Sequence, residues 1–238
     1  MNLKGKTAIV TGASDGLGRQ IALKLAKESV SLALIARNEE RLNEVKGDCL
    51  GLGSPKTEIY VCDISNIDQV KSTTQKIIAD FESVDILLNI AGIWQKLNQL
   101  ESISDDEIDN VININLKGLI RITKEVLPCL RRQNEAIILN VSSHSGIAAK
   151  PGQSVYAASK WGVTGFTAVL REDLKGTNIR VAGLFQGGMH TKMFEKVDDP
   201  KETELFDKFT NPKDLADIVV FMLSQPPKIW LYDVRVEY

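Results

Sequence analysis

Lys6-Thr7-Ala8-Ile9-Val10-Thr11-Gly12-Ala13-Ser14-Asp15-Gly16-Leu17-Gly18 is the stretch on which the fold turns. Its first half is short, apolar and β-branched, as a buried strand should be. Its second half is a glycine-rich turn, and Ile21, Leu23, Leu25 and Ala26 follow in a helical pattern. Strand, glycine turn and helix, in that order, make such a loop credible as a pyrophosphate cradle. Gly12 permits the tight turn, while Gly16 and Gly18 let backbone approach phosphate and let the helix pack on the strand. Ser14, Asp15 and Leu17 complete the loop, and the helix N-terminus offers unpaired N–H groups and the positive end of its dipole. The spacing is Gly-x3-Gly-x-Gly, not the Gly-x-Gly-x-x-Gly of the standard dinucleotide fingerprint. On its own, therefore, the loop also reads as an ordinary turn.

Working outward, strand-like and helix-like runs alternate, as a parallel sheet with helical crossovers requires. Further strands are expected at Ser31–Ala36, Thr57–Val61, Asp85–Asn89, Ala136–Val141, Arg180–Phe185 and Trp230–Val236. Helices are expected at Glu39–Cys49, Ile67–Phe81, Asp105–Pro128, Tyr156–Leu174 and Asp214–Leu223. Near-continuous apolar strands such as Ala136-Ile137-Ile138-Leu139 indicate burial on both faces. With 238 residues and no repeat, low-complexity tract or linker, one large α/β domain spanning 1–238 is expected.

Composition bounds the function. The chain is 43% hydrophobic and 25% charged, with a formal net charge of −2 and no basic cluster, which argues against nucleic acid as a partner. No apolar run reaches the roughly 20 residues that span a bilayer, and Met1-Asn2-Leu3-Lys4-Gly5-Lys6 reads as no signal peptide. Cys49, Cys62 and Cys129 form an odd, scattered set that suits a reducing cytoplasm. With only His144 and His190 as histidines, no metal site is expected.

Tyr156 and Lys160 stand one helical turn apart, on one face of a helix. A lysine there, together with the positive nicotinamide ring of an oxidised cofactor, can favour the ionised form of a phenol. Bringing a tyrosine from its usual pKa of about 10 to near 7 takes roughly 4 kcal/mol of differential stabilisation. Such a pair also occurs by chance in many helices, so it gains meaning only from company.

That company exists: Thr11-Gly12-x3-Gly16-x-Gly18, Asp63, Asn89-Ile90-Ala91-Gly92, Asn115, Ser143 and Tyr156-x3-Lys160 occur in this order. On these motifs the chain resembles the short-chain dehydrogenase/reductase family over nearly its whole length. Ser143 precedes Tyr156 by 13 residues, the interval the family shows. The resemblance implies a Rossmann-type, doubly wound parallel β-sheet of about seven strands with helices on both faces. It implies Tyr156 as general acid and base, Lys160 as the group that lowers its pKa and bonds the nicotinamide ribose, and Ser143 as the group that polarises the carbonyl. Asn115 corresponds to the residue that holds a water for proton relay to Lys160. Asp63, with its neighbour Ile64, corresponds to the adenine contact, and Asn89 to Gly92 to the floor beneath it. Ser142 reads as structural.

Cofactor choice follows from the end of the second strand. Leu34-Ile35-Ala36-Arg37-Asn38 carries alanine where an NAD-preferring fold carries an acid that bonds the ribose 2′-hydroxyl. Arg37 can pair with a 2′-phosphate and stack on adenine, which favours NADP(H) over NAD(H).

After the sixth strand the family commonly shows Pro-Gly-x3-Thr; here Gln186-Gly187-Gly188-Met189-His190-Thr191 keeps Gly187 and Thr191 but replaces the proline. A substrate-covering loop is expected at about 187–212, with Met193, Phe194, Leu205, Phe206 and Phe209 as its apolar members. Trp94, His144, Met189 and His190 are the candidate substrate contacts beside Ser143. The final Trp230-Leu231-Tyr232-Asp233-Val234-Arg235-Val236-Glu237-Tyr238 lacks the Gly-rich ending of many fatty-acid ketoreductases, which weakens that assignment. The resemblance also implies a homodimer or homotetramer, to which Trp161, Phe166 and Trp230 are possible contributors. The expected activity is NADP(H)-dependent interconversion of a carbonyl and an alcohol. The alternative is a binding-only protein that senses the cofactor or holds a partner.

Overall fold

Ala8, Ile9 and Val10 have no solvent exposure at all, because the strand that carries them lies inside a sheet covered on both faces. Residues 1–195 and 207–237 are described in the computed structural model. The strands are β1 (Thr7–Thr11), β2 (Ser31–Ala36), β3 (Thr57–Val61), β4 (Ile86–Asn89), β5 (Ala136–Val141), β6 (Ile179–Gln186) and β7 (Asp233–Val236). They form one sheet in the order β3-β2-β1-β4-β5-β6-β7, and every pair is parallel. The chain winds outward from β1 to β3, then crosses back to β4, so a crevice opens at the C-terminal ends of β1 and β4.

Among the described residues the α-helices are α1 (Gly16–Lys27), α2 (Glu39–Gly51), α3 (Ile67–Phe81), α4 (Asp105–Ile112), α5 (Leu119–Leu130), α6 (Ser154–Asp173) and α7 (Pro212–Ser224). Alternate strand residues face opposite layers. Ala8, Val10, Leu32 and Leu34 pack with Ile21 and Leu25 of α1 and with Leu215 and Val219 of α7. Ile9, Ala33, Ile35 and Leu87 pack with Val70 and Ile77 of α3 and with Ile122 and Val126 of α5. Apolar residues on both faces of each strand are what this doubly wound arrangement requires. Among the described residues no helix is long and apolar enough to cross a membrane.

The expected elements are all present, with one informative difference. The helix expected over Asp105–Pro128 is α4, a π-helical turn at Asn113–Gly118, then α5, which runs on to Leu130. The π turn carries Asn115, and such turns cluster at functional sites. Pro128 sits in the last turn of α5, where it removes a single backbone bond without ending the helix. β7 begins at Asp233 rather than Trp230. Of the expected covering loop, residues 196–206, with Leu205 and Phe206, lie outside the described residues, as does Tyr238. Its two described ends are joined: Met189 bridges Thr210, His190 N–H donates to Thr210 O at 3.0 Å, and Thr210 N–H donates to Gly188 O at 3.1 Å.

The glycine turn is shaped by contact. Gly12 has φ +68°, and a Cβ there would stand 2.8 Å from Ala91 Cα. A Cβ on Gly18 would press into the carbonyl of Gly12. Gly47, by contrast, lies exposed in the middle of α2 with nothing within 4 Å of where its Cβ would be. Gly18→Ala is therefore expected to lose about 1–3 kcal/mol and Gly47→Ala to gain about 0.5–1 kcal/mol. Urea melts of the two variants beside the wild type check both signs.

Candidate active site

A cavity of about 1260 Å³ runs along the C-terminal ends of the strands on both sides of the crevice. Beyond β2 and β3 it is bordered by Arg37, Asn38, Arg41, Asp63 and Ile64. Its middle is the glycine turn, with Gly12, Ser14, Asp15, Gly16, Leu17 and Gly18, faced by Ile90, Ala91 and Gly92. Beyond β5 and β6 it is bordered by Ser143, Tyr156, Lys160, His144, Trp94, Gly187, Met189 and Thr191. The cavity thus gathers most of the residues singled out from the sequence.

Each part is held by identifiable contacts. Asp15 caps α1, its carboxylate accepting from Gly16 N–H at 2.8 Å, and Arg41 lies 3.2 Å from its other oxygen. Thr191 reaches over the turn, with its methyl 3.4 Å from where a Gly16 Cβ would stand. Thr11 Oγ1 accepts from the N–H groups of Ile90 and Ala91 at 3.0 and 3.1 Å, tying β4's exit to β1's. Asp63 accepts from the backbone and hydroxyl of Ser65.

At the other end, α6 is docked against the exit of β5. Ser142 Oγ donates to Lys160 O at 3.0 Å, and a Cβ on Gly146 would sit 2.8 Å from the same carbonyl. This close approach, open only to glycine, sets Tyr156 on the same cavity wall as Ser143. Ser142 is thus a docking residue, as expected. Ser143 accepts from Ser145 N–H at 3.2 Å, and Ser145 Oγ donates to Gln153 at 2.6 Å. Gln95 Oε1 accepts from Tyr156 N–H at 2.9 Å. Lys160 Nζ donates to Val141 O at 3.1 Å and lies 5.8 Å from the centre of the Tyr156 ring.

Three expected site residues stand elsewhere. Asn115 is buried behind the cavity, and its side chain is committed: it accepts from Ile93 N–H at 2.8 Å and donates to Ile93 O and Ser159 Oγ at 3.0 and 3.1 Å. It positions the Gly92–Ile93 segment; a Cβ on Gly92 would fall 3.3 Å from Asn115 Oδ1 and 3.5 Å from Lys160 Nζ. Asn89 does not line the cavity either, because its amide donates to Thr123 at 2.9 Å and to Asn140, its cross-strand partner, at 2.8 Å. His190 is exposed and outside the cavity, since its backbone is drawn into pairing with Thr210.

The electrostatics also differ from expectation. Burial pushes the Tyr156 phenol up to about 12, an effect only partly offset by the neighbouring Ser143 hydroxyl. Burial likewise pushes the Lys160 ammonium down to about 8. Desolvation disfavours both charged forms, and it outweighs the mutual stabilisation expected from the pair. The protein's own groups therefore keep the phenol protonated at neutral pH.

Sequence reading missed Arg41, Gln95 and Gln153. Arg41 carried a signal, a second arginine four residues beyond Arg37. Gln95 carried none, because it acts on a residue 61 positions away. Gln186, where the family has proline, lines the cavity with its side-chain carbonyl buried and without a hydrogen-bond partner among the described residues. His144 Nε2 lies 3.3 Å from Glu237. Trp94 meets Tyr156 edge-on, with ring centres 4.5 Å apart.

A cation whose pKa falls from 10.5 to about 8 on folding costs stability below pH 8. The cost is relieved as pH rises towards 10.5, because the unfolded chain then holds the proton longer. Lys160→Met is accordingly expected to be more stable than wild type by about 2–3 kcal/mol at pH 7, with the gap closing near pH 10. Thermal melts across that range check it.

The comparisons with known proteins agree with this geometry. The family model for short chain dehydrogenases matches residues 6–202. The 3-oxoacyl-[acyl-carrier-protein] reductase FabG of Thermotoga maritima is 35% identical over 229 residues, covering 94% of this chain and 92% of its own. The alcohol dehydrogenase of Thermococcus sibiricus complexed with 5-hydroxy-NADP superposes with a TM-score of 0.88 at 25% identity, covering 97% of this chain and 95% of its own. The 3-ketoacyl-(acyl-carrier-protein) reductase of Brucella melitensis complexed with NADH gives a TM-score of 0.88 at 26% identity, covering 98% and 97%. On sequence and fold together, the chain belongs to the short-chain dehydrogenase/reductase family of oxidoreductases.

Proposed function

We propose that the protein is an NADP(H)-dependent reductase that interconverts a ketone or aldehyde and the corresponding alcohol. The observation that carries the reading is that Ser143, Tyr156 and Lys160 together border one end of a cleft whose middle is a glycine cradle. The cradle suits a dinucleotide, since side chains at Gly12 or Gly18 would collide with backbone and the N-terminus of α1 faces the space. When bound, the nicotinamide supplies or accepts the hydride.

The residues handle the proton and the oxygen. Ser143 and Tyr156 present two hydroxyls to one carbonyl oxygen, polarising it and steadying negative charge as it develops. Tyr156, protonated at neutral pH, gives its proton to that oxygen in reduction and takes one from the hydroxyl in oxidation. Lys160, buried beside the phenol, stabilises the phenolate that remains, and Asn115 holds the Gly92–Ile93 wall against which the lysine rests. Gly187 and Thr191 are proposed nicotinamide contacts, and Asp63 and Ile64 proposed adenine contacts.

Arg37 and Arg41 support the choice of NADP(H). Both border the cavity beyond β2, where Ala36 offers no carboxylate to repel a 2′-phosphate. We further propose that copies of the chain assemble through exposed apolar residues, Trp161 and Val169 on α6 and Trp230 and Tyr232 before β7. Phe166 instead packs on the core. A cytoplasmic location fits the three buried, unpaired thiols.

Tyr156→Phe is expected to lower turnover by at least about 100-fold while leaving NADPH affinity nearly unchanged; NADPH oxidation over a carbonyl panel, with titration of cofactor binding, measures both. Binding with no turnover in the wild type would favour the binding-only alternative. Arg37→Ala should weaken NADPH by about 10–100-fold and NADH far less, and equal losses would refute the 2′-phosphate role. In the wild type, kcat for reduction should fall as pH rises through about 8, where Lys160 loses its charge.

A further inference from the structure

The geometry points to a ketone bearing a ring on its carbonyl carbon as the substrate class, an inference that rests on the reductase reading above. Three rings continue from the Tyr156 phenol. Trp94 meets Tyr156 at 4.5 Å and 60°, Phe194 meets Trp94 at 5.2 Å and 69°, and Phe209 meets Phe194 at 5.6 Å and 44°. Trp94, Phe194 and Phe209 all line the same cavity as Ser143 and Tyr156.

The wall comes from three separate parts of the chain: the exit of β4, and the two joined ends of the segment between β6 and α7. Gly188 is shaped for it, because a Cβ there would fall inside the Phe209 ring. A side chain at 188 would thus push the outermost ring aside.

Position decides what the wall can read. A carbonyl oxygen held by Ser143 and Tyr156 leaves its carbon's substituents beside the Tyr156 ring, and Trp94 already packs on that ring. Edge-to-face aromatic pairs at 4.5–7 Å contribute about 0.5–1.5 kcal/mol each beyond simple burial, so a substrate ring extends the series favourably. A flexible acyl chain gains only burial there, and it loses rotational freedom on binding. Of the cavity's charged residues, Asp106, Lys150 and Lys192 are exposed at its mouth, Glu107 is half-buried, and Lys160 is buried beside the phenol.

The test is NADPH oxidation by the full-length protein with acetophenone, 1-indanone, 2-octanone and the N-acetylcysteamine thioester of acetoacetate. Acetophenone and 2-octanone have equal carbon counts, so their ratio isolates the ring. The wild type is expected to show kcat/KM about tenfold higher for the ring ketones. Phe194→Leu and Gly188→Ala should bring that ratio towards one, chiefly by raising KM for the ring ketones, and Tyr156→Phe should remove all turnover. Equal kcat/KM for acetophenone and 2-octanone in the wild type would overturn the inference, as would equal losses for both in Phe194→Leu. Turnover of the thioester alone would overturn it and leave the reductase reading standing. No turnover of any probe, with NADPH binding confirmed, would count against both.

Discussion

The structure depends on how β1 and β4 part at their C-terminal ends while staying joined. The two strands pair through Val10 and Leu88, and beyond that point their chains turn to opposite faces of the sheet. The divergence creates the crevice, and it would leave backbone N–H groups without ladder partners. Thr11 resolves the conflict, because its hydroxyl accepts from Ile90 and Ala91 and donates to Leu88 O. Gly12 then turns with its Cα against Ala91, closer than any side chain permits. One hydroxyl and one missing Cβ thus set the width of the cradle and the path of the segment that reaches Gly92, Ile93 and Trp94.

A second tension runs through the other end of the cleft. Packing α6 onto β5 buries Tyr156 and Lys160 almost completely, and burial opposes the charges that proton transfer needs. Burial holds the phenol neutral and makes the ammonium easier to lose, so on the proposed reading the phenol starts as a proton donor. Lys160 retains one backbone carbonyl as a partner, enough to orient it without cancelling the cost of its burial. A site of this kind carries a stability cost as part of its chemistry.

The sheet was legible because its signals are local. Continuous apolar runs and glycine turns mark the strands of a covered parallel sheet, and β2 and β5 lie where the runs lie. That Tyr156 and Lys160 share one face of a helix was legible because four residues on a helix are about one turn. What escaped depends on contacts between distant segments. The π turn at Asn113–Gly118 leaves no mark on hydrophobic period, since it arises where Asn115 is drawn inward to the Ile93 backbone. Asn89 matched a motif that borders the cleft, yet its amide serves the bond between β4 and β5. His190 is adjacent in sequence to Thr191 but points away, because the backbone between them is fixed by pairing with residue 210. The sign of the tyrosine shift escaped for a related reason: spacing reports which groups are neighbours, while desolvation depends on everything packed around them.

The bridge between Met189 and Thr210 has a consequence for how such a protein changes over generations. It closes the base of the intervening segment independently of what the segment contains. Loop-closure entropy grows only slowly with length, so insertions, deletions and wholesale replacement between those two residues need not propagate into β6 or α7. The sheet and the glycine cradle, with Thr191 over it, can then be kept while the residues between Phe194 and Phe209 change. A closed base of this kind is a natural splice point, at which a scaffold could vary the residues beyond Phe194 without disturbing its sheet.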